Sequence, residues 1–224
     1  MNTKLRNAII STVAAKALIR EQITRQLEDS FEVLCALLQE LAAEYNKLLK
    51  GYTVVSYERP AQHVAQFTIN EDTLIFAQHT DVFQFDRDHE AWKTPYVTED
   101  AGRSYAGIVN VYNFLAESFK YDRDEDIGYL IARIFINKDG AFFVEGKRQR
   151  NMGVAHYDEQ PIDKNNWRRF VETAIKYAAE FDLLAPPYET EKLTDLIHLN
   201  DKILKSKTKT AKRLGFSFNS DDVS

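Results

Sequence analysis

The chain has 224 residues, 44% of them hydrophobic, with 14 Phe and 11 Tyr; that is ample material for a core and excludes global disorder. Its formal charge of −5 argues against nucleic-acid binding by bulk charge, while leaving room for a local basic patch. No run approaches the ~18 apolar residues of a membrane span, and the single cysteine, Cys35, excludes an internal disulfide and fits a reducing, cytoplasmic setting.

Residues 5–49 carry a helical period. Ile19, Ile23, Leu27 and Phe31 step by four, and Leu34, Leu38, Leu41, Tyr45 and Leu48 by four and three. Gly51 follows as a C-cap. Lys4 and Arg6 ahead of an apolar stretch resemble the start of a signal peptide, but Lys16 and Arg20 interrupt it and the helical period runs through. One helix of this length would measure ~68 Å at ~1.5 Å per residue. A break is therefore expected at Asp29-Ser30, both of them capping residues. Residues 1–28 then form a helical arm that either meets a second copy or another protein, or adds a further cover to the sheet. Cys35, in an apolar helical stretch, reads as small core filler.

From Tyr52 the period becomes two. Strands are expected over 52–57, 63–69, 73–78 and 82–85, joined by short polar turns in an antiparallel meander. Residues 86–103, with Pro95 and Gly102, read as a long loop, a kind that often carries function. Residues 104–119 return to helical spacing at Ile108, Val111, Tyr112, Leu115 and Phe119. Residues 127–149 form a hairpin closed by Lys138-Asp139-Gly140, with a short strand expected near 154–157. Asp163 caps a helix over 164–181 with the apolar face Trp167, Phe170, Val171, Ala174, Ile175 and Ala178, stopped by Pro186-Pro187. A last helix is expected over 193–204. The fold class is α+β: an antiparallel sheet of about six or seven strands covered by helices 31–49, 104–119 and 164–181. An arm over 1–28 precedes the domain at 29–204, and a flexible basic tail follows over 205–224.

Glu145-Gly146-Lys147 is the one triplet with catalytic chemistry in reach. It resembles part of the PD-(D/E)xK nuclease pattern, in which two carboxylates hold Mg²⁺ and a Lys attends the water and phosphate. That resemblance implies Glu145 and Lys147 as catalytic residues, Asp126 or Glu125 as the second ligand, and Mg²⁺ as cofactor. The hairpin register argues otherwise. A three-residue turn at 138–140 pairs Arg133 with Glu145 and Phe135 with Phe143. It sets Leu130, Ala132, Ile134, Ile136, Phe142, Val144 and Gly146 on a core face, with Ile131, Arg133, Phe135, Phe143, Glu145 and Lys147 opposite. Glu145 then meets a guanidinium, and the acids at 125–126 lie at the far end of the strand. Arg133, Lys147, Arg148 and Arg150 form a binding face for a phosphate or an acidic partner, or a charged strand end that discourages edge pairing.

His79, Asp81, Asp86, Asp88 and His89 crowd one bend, without a recognised metal-ligand spacing; His156 and Asp158 repeat the pattern more weakly. No phosphate-binding glycine loop and no nucleophile elbow is present. The tail cations Lys205, Lys207, Lys209, Lys212 and Arg213 solubilise the chain, or touch nucleic acid or an acidic surface. The leading expectation is a non-enzymatic binding or assembly module, without cofactor or metal. It would act as a homo-oligomer or as a subunit of a complex, through its N-terminal helices, the 86–103 segment and the Arg133/Glu145/Lys147 face. The alternative is the Mg²⁺-dependent nuclease, with nucleic acid as partner.

Overall fold

The computed structural model describes residues 3–124, 126–146 and 158–180. The expected helix over 193–204 and the basic tail lie outside them. The class is the one expected: an antiparallel sheet with helices and a long N-terminal helix. No helix among the described residues is long and apolar enough to cross a membrane.

Helix α1 (Thr3–Leu48) is a single 46-residue element, ~69 Å long at ~1.5 Å per residue. The break expected at Asp29-Ser30 does not occur. Ser30 is buried, and its hydroxyl accepts a hydrogen bond from the indole Nε1 of Trp167 at 3.0 Å rather than capping a helix. Around it Ile23, Leu27, Phe31, Leu34, Leu38 and Leu41 hold one buried stripe in register. No glycine or proline lies between residues 3 and 48. The helix ends where Lys50 and Gly51 take φ of 49° and 85°, the left-handed turn anticipated at Gly51.

Among the described residues the strands are β1 (Val55–Ala61), β2 (Val64–Ile69), β3 (Asp72–Gln78), β4 (Phe83–Gln84), β5 (Tyr105–Leu115), β6 (Tyr129–Asn137), β7 (Ala141–Gly146) and β8 (Asp158–Pro161). They pair in the order β1-β2-β3-β5-β6-β7-β8, all antiparallel, with β4 beside β5. Short helices α2 (Pro95–Glu99) and α3 (Ala116–Lys120) precede and follow β5, and α4 (Lys164–Ala179) packs beside α1. Asp163 caps α4 as expected, accepting from the Asn166 amide at 2.7 Å.

Residues 104–119 are not the expected helix. Residues 105–115 form the central strand β5, and only 116–120 are helical. β5 is flanked by β3 and β6 and covered on both faces near its start, so its apolar residues do not alternate cleanly with polar ones. The β-branched Ile108, Val109 and Val111 favour extended backbone. β1 also starts later than expected, at Val55, where the Asn46 amide on α1 donates to the Val55 carbonyl (2.7 Å) and accepts from its N–H (2.9 Å).

Residues 86–103 are not an irregular loop. A 3-10 turn (Glu90–Lys93), α2 and a second 3-10 turn (Ala101–Ser104) follow one another. The side chains of His89, Thr94 and Asp100 accept from the amides of Ala91, Val97 and Gly102 and start the three turns. The approach to this segment lays the Phe85 ring against Phe135 (5.2 Å) and Phe143 (5.4 Å), on the sheet face opposite the expected core face. Both aromatics are therefore buried, although sequence alternation sets them on the outer face.

A candidate site on the β6–β7 hairpin and an uncovered helical arm

The hairpin register is the one its turn dictates: Arg133 pairs with Glu145 and Phe135 with Phe143, and Gly140 takes φ 77° in the turn. Arg133 Nη2 donates to Glu145 Oε2 at 2.5 Å. The other carboxylate oxygen, Oε1, lies 3.4 Å from Nε2 of His89. His89 Nδ1 accepts from the Ala91 amide at 3.1 Å, so that nitrogen is bare and the proton of the neutral ring sits on Nε2, where it donates to Glu145. The imidazole stacks on Phe85 at 4.4 Å, Phe135 stacks on Phe143 at 4.6 Å, and the Arg133 guanidinium lies 5.4 Å from the Phe135 ring centre. Glu145 is thus held by two nitrogen donors above an aromatic cluster.

Asp126 stands elsewhere. Its Oδ2 accepts from the Ser118 hydroxyl at 2.7 Å and faces Arg123 Nη1 at 3.8 Å. Arg123 in turn holds Glu117 at 3.1 Å. This cluster ties the turn after α3. Ala132 pairs with Gly146, and Asp126 lies six residues further back, up to ~20 Å along a strand rising ~3.3 Å per residue. Glu125, Lys147, Arg148 and Arg150 lie outside the described residues, as do His156 and the expected strand at 154–157; β8 begins at Asp158.

One facial assignment is inverted. A bulge between Val111 and Tyr112 skips Ile131, since Val111 pairs with Ala132 and Tyr112 with Leu130. Leu130, expected in the core, is exposed, and Ile131, expected outside, is buried.

A polar network fastens the 94–104 segment to the hairpin turn. Arg103 Nε donates to Asp139 Oδ2 (2.9 Å), Tyr96 OH donates to the same oxygen (3.1 Å), and the Asn137 amide donates to Tyr96 OH (3.1 Å). Lys138 Nζ meets Asp100 Oδ2 at 2.8 Å. That hydrogen bond holds the Asp100 carboxyl below the usual range and the Lys138 ammonium above it. Burial pushes the Tyr96 hydroxyl up. His79 is tied up locally, its Nδ1 accepting from the Asp81 amide at 3.0 Å. Among the described residues no group of three His, Cys, Asp or Glu side chains is placed to share a metal ion. Cys35 is buried and its thiol is pushed up by burial, as suits core filler.

The second candidate surface is the start of α1. Residues 3–18 are all exposed, among them Leu5, Ile9, Ile10, Val13 and Leu18, each more than half accessible. Ile19 reaches the 101–104 turn, where a Cβ on Gly102 would stand 3.3 Å from its Cδ1, and Ile23 is the first fully buried residue of the helix. The domain therefore ends near Ile19, and α1 continues beyond it.

Fold and surfaces together define an antiparallel α+β domain with a projecting helix. Comparison with protein-family models, with curated proteins and with solved structures finds no match to this chain.

Proposed function

We propose that this protein is a binding and assembly module. It acts as a homo-oligomer or as a subunit of a larger complex, with α1 residues 3–18 as its principal contact surface. The observation that carries this reading is the stretch of five large apolar side chains, each over half exposed, on 16 residues of helix that the domain does not cover. Burying what remains exposed of each would contribute ~1 kcal/mol, or ~5 kcal/mol for the set. The Arg133/Glu145 face and the capped 86–103 segment form a secondary contact surface. The nuclease alternative has weaker support, because Glu145 is engaged by Arg133 and His89 and Asp126 by Ser118 and Arg123.

Removal of residues 1–18 tests the proposal. The expected result is a lower mass by light scattering, or loss of partner binding, with the melting transition of the domain retained. An unchanged mass together with full partner binding overturns it.

A further inference from the structure

Among the described residues, His79 and His89 each use a ring nitrogen as the acceptor of a turn. His79 Nδ1 accepts from the Asp81 amide at 3.0 Å, and His89 Nδ1 from the Ala91 amide at 3.1 Å. Such a bond needs a bare nitrogen and therefore an uncharged ring, since both nitrogens of an imidazolium carry protons. The two sites differ in where a carboxylate stands. At His79 it is Asp81 Oδ2, 3.9 Å from the same Nδ1, so a proton added there faces an acceptor. At His89 it is Glu145 Oε1, 3.4 Å from the opposite nitrogen, Nε2. A proton added to Nδ1 of His89 meets the Ala91 N–H, donor against donor.

The surroundings hold the ring while its charge changes. It stacks on Phe85 at 4.4 Å and lies 5.8 Å from the Phe143 ring, and its side chain is 28% exposed, so protons reach it from solvent. The charged groups that face it are Glu145 on β7 and, on the other oxygen of that carboxylate, Arg133 on β6. On its own segment Asp86, Arg87, Asp88 and Glu90 are exposed, with Arg87 over the Trp92 ring at 3.9 Å and Glu90 paired with Lys93 at 2.6 Å. Nε2–H donates to Glu145 in both charge states, and in the cation that contact is charge-assisted. A proton gained thus weakens the hold on Ala91 and strengthens the hold on Glu145. The later turns of the segment start on the Thr94 hydroxyl and the Asp100 carboxylate and do not depend on the imidazole.

We propose that His89 is a proton-operated latch on the 86–103 segment. Uncharged, it caps the turn Glu90–Lys93; charged, it releases the Ala91 amide and stays on Glu145, so that residues 90–93 loosen while the later turns and the anchor on β7 persist. The latch belongs to the domain and does not rest on the assembly reading.

Nitrogen NMR of the full chain tests the latch without any substitution. At pH ~8 the His89 ring is expected in its Nε2–H form, and titration to pH ~5 spans the range in which an imidazole gains its charge. Over that range exchange of the Ala91 amide, corrected for its intrinsic pH dependence, should quicken about fivefold, the loss of one cap, in step with the charging of His89. The Val97 and Gly102 amides, capped by Thr94 and Asp100, are the controls and should hold within about twofold. His89→Asn keeps an acceptor two residues before the same amide and does not titrate; its Ala91 amide should stay protected across the whole range. His89→Phe keeps an aromatic ring beside Phe85 and has no acceptor; it should show the fast exchange throughout. A neutral His89 ring in the Nδ1–H form, Ala91 exchange that ignores the charging of His89, or equal acid loosening in His89→Asn overturns the latch. The first two of these are read on the unaltered chain and decide the matter even if a variant fails to fold.

Discussion

A thermodynamic cycle on Arg133 and Glu145 separates a structural ion pair from a metal site. The two side chains are 44% and 26% exposed, so water screens their attraction, and the short Nη2–Oε2 contact counts for less than its length implies. Exposed pairs of this kind couple by ~0.2–1 kcal/mol; ~0.5 kcal/mol is expected from Arg133→Ala, Glu145→Ala and the double variant in urea denaturation. Allowing for the longer His89 contact, Glu145→Ala alone should cost ~1 kcal/mol. That is ~2–4 °C in melting temperature for a chain of this size. The melts are repeated with millimolar Mg²⁺, which a structural pair ignores. Coupling above ~2 kcal/mol would refute the screening argument, because it requires a desolvated pair. A Mg²⁺-dependent rise in melting temperature that vanishes in Glu145→Ala would refute the structural reading itself.

Gly107→Ala is expected to destabilise by ~1–3 kcal/mol, since its Cβ would stand 2.6 Å from Leu27 Cδ2 in the core; an unchanged melting temperature would show that α1 does not lie this close to β5. Lys138→Met removes the partner that holds the Asp100 carboxyl below its usual range. A depressed folded-state pKa stabilises fully above the unfolded value near ~3.9 and is lost as pH falls through the folded one. The variant should therefore lose up to ~1 kcal/mol at neutral pH and converge on the original protein as pH falls through the depressed folded-state pKa of Asp100; a constant gap between the two stability–pH curves would refute the assignment. Arg20→Pro costs ~3 kcal/mol within a helix interior but falls at the boundary of the packed part. It should abolish arm-dependent assembly and shift the domain's melting temperature by no more than ~2 °C; a larger shift would mean that residues 3–18 support the domain.

The elements legible in the sequence are those whose signal is local. The turn Lys138-Asp139-Gly140 dictates the β6–β7 register, Asp163 starts α4, and Gly51 ends α1. What stayed hidden depends on neighbours distant in sequence. β5 spaces its apolar residues like a helix because β3, β6 and the helices leave it few solvated positions. The inversion of Leu130 and Ile131 follows from a bulge that the hairpin alone does not contain. His89 meets Glu145 across 56 residues, once three side-chain caps have folded the 86–103 segment. His89 does stand out in the sequence, within a crowd of Asp and His, but nothing there marks it as a cap and a carboxylate partner rather than a metal ligand. At Asp29-Ser30 a capping propensity lost to tertiary packing, because Trp167 supplies the hydrogen bond that Ser30 would otherwise seek at a helix start.

The length of α1 is the feature that the domain alone does not explain. Seven paired strands span ~29 Å at ~4.8 Å per gap. A helix crossing them obliquely from Leu48 to Ile19 covers ~45 Å, enough to reach from the β1 edge to the hairpin turn. The 16 residues beyond add ~24 Å of helix that buries nothing. A free helix of that length is marginal in water, so its helicity rests on continuity with the packed part, and no glycine or proline weakens that continuity. Leu5, Ile9 and Val13 even keep the four-residue spacing of Ile23, Leu27 and Phe31. A segment whose only task was to cover the sheet would stop at its edge or turn polar there. This one continues past that edge with exposed apolar side chains, and with basic residues but no acid over residues 3–20.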